Sequence, residues 1–120
     1  GGANNVCFGS NAGDVITTGD QNTIIGSDSD PNAHNTTNET VIGYGATGAG
    51  GSNSVTIGND DVTAVYMSSD SGATVHCTSV TVKETTTPSA LADHGKIYTK
   101  NDNKLYFQDG AGTEHEISFA

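Results

Sequence analysis

Strand-forming residues and polar residues alternate in four short stretches of this chain, and the four stretches share one spelling. They read Asn4-Asn5-Val6-Cys7-Phe8-Gly9, Gln21-Asn22-Thr23-Ile24-Ile25-Gly26, Asn38-Glu39-Thr40-Val41-Ile42-Gly43 and Asn53-Ser54-Val55-Thr56-Ile57-Gly58. The closing glycines stand at 9, 26, 43 and 58, in steps of 17, 17 and 15 residues. Self-similarity at a near-constant step marks a repeat architecture, in which each unit buries its apolar surface against the next. An amide residue opens each unit and suits a corner. Valine, threonine, isoleucine and phenylalanine then favour a strand. Glycine closes it where the chain turns with positive φ or passes close to another backbone. Side chains alternate in direction along a strand. Val6 and Phe8, Thr23 and Ile25, Thr40 and Ile42, Val55 and Ile57 therefore share one face, and Cys7, Ile24, Val41 and Thr56 share the other, which we read as the outward one.

The expected fold class is all-β: a short parallel β-solenoid, or β-roll, of about four coils over 1–66, a β-rich connector over 67–88, and a small antiparallel β-meander over 89–120. Residues 15–19 read as the return strand of the first coil, and 27–35, the longest polar stretch, as a surface excursion. Residues 61–67, 73–77 and 79–83 alternate like strands. Glu84-Thr85-Thr86-Thr87-Pro88 reads as an extended hinge, because proline restricts the residue before it. Residues 89–94 suggest one helical turn. Strands over 96–100, 104–108 and 114–119 follow, the first two joined by Asn101-Asp102-Asn103, a turn of residues that tolerate the left-handed region. Their apolar face, Ile97 with Leu105, Phe107, Ile117 and Phe119, is too small to stand alone. It calls for packing on copies of the chain around a threefold axis.

Composition sharpens this picture. Apolar residues make up 32% of the 120, with two leucines and neither tryptophan nor arginine, against about 45–50% in ordinary domains on a count that includes glycine. A core this thin is consistent with coil stacking or with oligomerisation. The net charge is −10, and all four lysines (Lys83, Lys96, Lys100, Lys104) lie in the last third. Such acidity disfavours nucleic acid, whose affinity comes from cations on phosphates, and equally anionic membranes. No stretch reads as a signal peptide or a membrane span. The start at Gly1-Gly2-Ala3 is expected of a fragment or a processed product. Cys7 and Cys77 fit no zinc spacing, and a bridge between the first coil and the region after the last exceeds disulfide reach. Both are expected to be free, partly buried thiols.

Candidate chemistry is sparse. His115 stands between Glu114 and Glu116, but alternation sends the glutamates one way and the histidine the other. His34, His76 and His94 are isolated, with no nucleophile or partnered base beside them. Symmetry could gather copies of one histidine around a metal. Asp28, Asp30, Asp60 and Asp61 are oxygen ligands of the type calcium takes, but without a calcium-roll motif they read as solvated loops. The glycosylation sequons at Asn35 and Asn38 are expected by chance in a chain this rich in asparagine and threonine. Asn4, Gln21, Asn38 and Asn53 suggest a stacked amide ladder at the corners. The outward series lacks the Thr-x-Thr rows of an ice-binding face. No catalytic, cofactor-binding or metal residue is assigned, and no cofactor is expected.

The unit Asn53-Ser54-Val55-Thr56-Ile57-Gly58 resembles the head repeat of trimeric autotransporter adhesins and the repeats of bacteriophage tail fibres. Leu91-Ala92-Asp93-His94-Gly95-Lys96-Ile97-Tyr98 and Lys104-Leu105-Tyr106-Phe107-Gln108-Asp109-Gly110 resemble tail-fibre and virion structural proteins of phages. The resemblance implies a non-enzymatic virion appendage: a homotrimer, extracellular, in contact with other virion proteins and a bacterial surface receptor. The loops at 27–37 and 44–52 would carry such contacts. Two alternatives remain, a bacterial surface adhesin or filament subunit, and a small metal- or ligand-binding β module. The step of 17 departs from the tighter adhesin-head spacing, and no self-cleaving chaperone segment is visible.

Overall fold

The computed structural model describes residues 1–118 and is all-β. The chain divides into two compact units, Gly1–Ala73 and Thr74–Ala120. In the first, each repeat contributes one three-residue strand: β1 (Val6–Phe8), β2 (Thr23–Ile25), β3 (Thr40–Ile42) and β4 (Val55–Ile57). They form a parallel sheet in chain order, as the repeats predict. The register is the repeat itself: Val6 faces Thr23, Thr40 and Val55 in turn, and Cys7 faces Ile24, Val41 and Thr56.

Backbone bonds carry the stacking around the rest of each repeat. Gly26 N donates to Phe8 O, Gly43 N to Ile25 O and Gly58 N to Ile42 O, at 2.7–2.8 Å. Past the corner, Asp28 N donates to Ser10 O and Gly45 N to Ser27 O, and Asp30 and Thr47 form a parallel bridge. The closing glycines lie so close that a Cβ on Gly26 (φ +137°) would meet Gly43 O at 2.3 Å. Both reasons for a glycine, positive φ and close backbone approach, hold here.

Which face turns inward corrects the sequence reading. Ile24, Val41 and Ala46 are fully buried, with Ala12 and Ile16 packed against them. The series Cys7, Ile24, Val41, Thr56 is thus the inner one. The bulkier row points out: Phe8 is 75% exposed, Ile57 53% and Ile25 36%. Gly13, Ser29, Ala46 and Gly48, in the segments that follow the strands, are buried as well.

Polar loops are drawn into the stack too. The stretch 27–35 is no excursion, since Ser29 is fully buried and Gly13 N donates to its carbonyl. Residues 15–19 form no strand; the amides of Thr17, Thr18 and Gly19 all converge on His34 O. The amide ladder runs one residue later than expected. Asn22 N donates to Asn5 Oδ1 and Glu39 N to Asn22 Oδ1, both at 2.9 Å, while Asn22 Nδ2 donates to Thr36 O. The opening residues Asn4, Gln21, Asn38 and Asn53 instead take the left-handed region, φ 56–62°, which asparagine tolerates better than most. Of these only Asn38 and Asn53 share a side-chain bond.

The alternating runs at 61–67, 73–77 and 79–83 form no strands. In the second unit, β5 (Lys96–Lys100), β6 (Lys104–Gln108) and β7 (Glu114–Ile117) form the antiparallel meander the sequence predicts. The Asn101–Asn103 turn closes with Asn103 at φ 61°. Residues 89–94 hold a turn rather than a helix, Asp93 being left-handed at φ 63°. The expected hinge is docked: Glu84 bridges Thr99, and Thr85 N donates to Thr99 O at 2.9 Å. Phe119, expected on the meander's apolar face and in its last strand, lies outside the described residues.

Candidate interaction surfaces

The outer face of β1–β4 carries two columns. One runs Val6, Thr23, Thr40, Val55 and the other Phe8, Ile25, Ile42, Ile57. Neighbouring parallel strands lie about 4.8 Å apart, so the columns form a four-rung ladder at that pitch. No rung carries a charge, although the unit holds eight carboxylates. Exposed apolar surface that is contiguous, rather than scattered, marks an interaction site.

A second surface is the open end of the stack. Beyond β4 no further rung covers Thr56, the last inward residue. A cleft of about 380 Å³ lies there, lined by Thr47, Ala49, Thr56, Gly58, Asp60 and Asp61 among others. Ala49 N donates to Thr56 Oγ1 at 3.0 Å, and Asn59 Nδ2 to Tyr44 O at 3.1 Å. The expected loop 44–52 forms part of this rim, whereas three residues of 27–37 are locked inside: Ser29, Pro31 and Thr36 are all buried.

The acidic candidates do not converge. Asp28 sits at one corner, accepting from Asn11 Nδ2 at 2.8 Å. Asp60 and Asp61 lie at the end cleft. The Asp30 carboxyl is pushed above its ordinary value chiefly by burial, with Asp14 and Asp28 adding repulsion. Its Oδ1 is buried without a partner, as is Glu39 Oε1. Glu39 is fully buried; Asn32 N donates to its Oε2 at 3.1 Å, and Gly48 leaves no room for a Cβ beside Oε1. Among the described residues, no three metal-ligating side chains gather at one point. Cys7 and Cys77 are free, as expected, but exposed rather than partly buried. Burial, followed by the nearby Asp30, still raises the Cys7 thiol.

In the second unit the covered face is not the expected apolar one. It carries Tyr98 and Tyr106, stacked with ring centres 5.8 Å apart, and Gln108, all three buried. Ile97 stays 64% exposed on the opposite face. Glu114 is the hub of the covered side. It accepts from Lys100 Nζ at 2.8 Å, Thr87 Oγ1 at 2.7 Å and the Tyr98 hydroxyl. The lysine bond, then the two hydroxyls, pull its carboxyl down to about 2. Tyr106 donates to Asp102 Oδ2 at 2.8 Å, and that bond, with burial, pushes its phenol up to about 12. Lys100 Nζ also lies 4.1 Å from the centre of the Tyr106 ring.

The trio at 114–116 diverges as the alternation predicts. Glu116 faces Tyr106, His115 faces Phe107 and Glu114 faces Gln108. His115 stacks on Phe107 and lies 3.7 Å from Asp109. His34 is in contact with Thr17 Oγ1 at 2.9 Å, and His94 Nδ1 with Ala92 O at 2.8 Å. The described arrangement brings together no nucleophile, base and orienting group. No helix among the described residues is long and apolar enough to cross a membrane. No family model, curated protein or solved structure matches this chain.

Proposed function

We propose that this chain is a structural subunit of a bacteriophage fibre or virion appendage, homotrimeric and contributing to attachment at the host surface, rather than an enzyme. The repeats act as a short β-solenoid, a stiff spacer whose length grows by one rung per repeat. The observation that carries this reading is the coil-to-coil bonding: one glycine amide after another donates to the strand below, in the same register through four repeats. A chain ordered this way gains rigidity without a large core. The rim at 44–52 supplies a place for contacts with other virion proteins or a receptor.

Light scattering at several concentrations tests the assembly. A stable species of three times the 12.2 kDa of one chain supports the reading. A well-folded monomer removes it and leaves a ligand-binding module. Open-ended growth points instead to a filament subunit of a bacterial surface, using the free edge of β4. Antibodies against the chain that label virion appendages in electron micrographs test the location directly.

A further inference from the structure

We propose that the outer ladder of β1–β4 is the surface through which copies of this chain associate, side by side and in the same direction, with equal rungs meeting. The proposal rests on the fibre reading for its parallel orientation and goes beyond it in naming the interface. Three observations select a second copy as the occupant.

The first is pitch. The ladder repeats every strand spacing for four rungs. A complementary surface needs that repeat, and another copy has it by construction. The second is charge. The chain carries −10, and eight carboxylates belong to residues 1–82. Copies approaching through most surfaces of the first unit would bring like charges together. Along Val6, Phe8, Thr23, Ile25, Thr40, Ile42, Val55 and Ile57 they would not. The third is the imbalance of burial. The fully buried apolar cluster of the stack is only Ile24, Val41 and Ala46, while the larger Phe8, Ile25, Ile42 and Ile57 stay open. Joining ladders would take this exposed apolar surface out of water, and association between proteins draws on such burial.

Equal-rung pairing has a signature. If copies run parallel, Val6 of one lies against Val6 of its neighbour. If they run antiparallel, Val6 meets Val55, three rungs away, or about 14 Å along the stack.

The test uses the full chain. Ile25→Asp with Ile42→Asp places charges on the two central rungs while the buried residues stay as they are. Circular dichroism is expected to be unchanged, and the concentration needed for assembly to rise at least about tenfold. In a Cys7→Ala, Cys77→Ser background, Val6→Cys is expected to form disulfide-linked copies under mild oxidation. Assembled wild-type protein whose mass is untouched by the double substitution overturns this proposal alone. So does Val6→Cys protein that links only when mixed with Val55→Cys protein. A monomeric wild-type chain overturns the fibre reading and this proposal with it. Should the double variant misfold, the cysteine pair decides.

Discussion

The stack and the meander solve the same problem by opposite means. Each is a small sheet with too little apolar surface for a full core, and each leaves its more apolar face open. The stack orders itself by repetition: glycine-to-strand backbone bonds and the Asn5–Asn22–Glu39 ladder recur from one rung to the next. The meander orders itself by side-chain charge. The ion pairs among the described residues, Lys100–Glu114, Lys104–Glu116 and His115–Asp109, all lie in the second unit. Repetition spreads stability over many equivalent bonds, whereas the Glu114 hub concentrates it in one carboxylate.

The largest effect expected from breaking this contrast is on coil integrity. Deleting residues 27–43 removes one whole repeat and leaves Gly26 followed by Tyr44, which follows a closing glycine in the native chain as well. That variant keeps cooperative unfolding, while deletion of 27–34 alone abolishes the first unit. Equal collapse of both, seen by circular dichroism, would sink the repeat account. Next comes Gly26→Val. A branched side chain at φ +137°, pressed on Gly43 O, is expected to destabilise the stack by about 4 kcal/mol or more. Amide hydrogen exchange should show protection lost in β1–β4 and kept in β5–β7. Asn22→Ala follows, at about 3 kcal/mol, since it leaves the Glu39 amide and the Thr36 carbonyl buried without partners.

Acid separates the two regions most finely. Glu114 is depressed from 4.5 to about 2. Its contribution is therefore complete above pH 4.5 and is lost as pH falls toward about 2. Asp30 is shifted the other way, above 3.8, by burial. Its share of stability is present below that value and is lost as pH rises through its folded value. Between pH 5 and 2 the meander should lose exchange protection while the stack around Asp30 holds or gains it. Parallel loss in both would contradict the contrast. At the alkaline end, Tyr106 resists ionisation up to about 12. Its contribution, full below pH 10, should disappear through that range, as ultraviolet titration would show.

Much of this architecture was legible in the sequence, and the failures have a common cause. The glycine steps placed all four parallel strands and their register, because stacking forces equivalent residues into contact. The 101–103 turn placed the meander. The reading of faces failed because bulk was not weighed against space. Val6, Phe8 and Ile25 look like a core, but the inner face of each repeat is already taken, by Asn22 and Ile24 in the second and by Glu39 and Val41 in the third. A signal was present in parity: the closing glycines Gly26 and Gly43 share it with Ile24 and Val41, so the inner row is the one that ends in a residue without a side chain. The stretch 27–35 misled because its serine and asparagine suggest solvent, whereas they satisfy buried backbone groups. Tyr98 and Tyr106 were passed over because the covering connector pairs with β5 through a single bridge that leaves no pattern in the sequence.

The last step between closing glycines is 15 residues rather than 17, yet Thr40 still faces Val55 and Ile42 still faces Ile57. The two missing residues were absorbed in the 44–52 segment without disturbing the sheet. That segment therefore behaves as an expansion joint, and the strands as fixed floors of a building. A peptide grafted between Gly50 and Gly51 would be held at one known height beside the third and fourth floors. This makes the stack a ruler for presenting foreign sequences at set spacings.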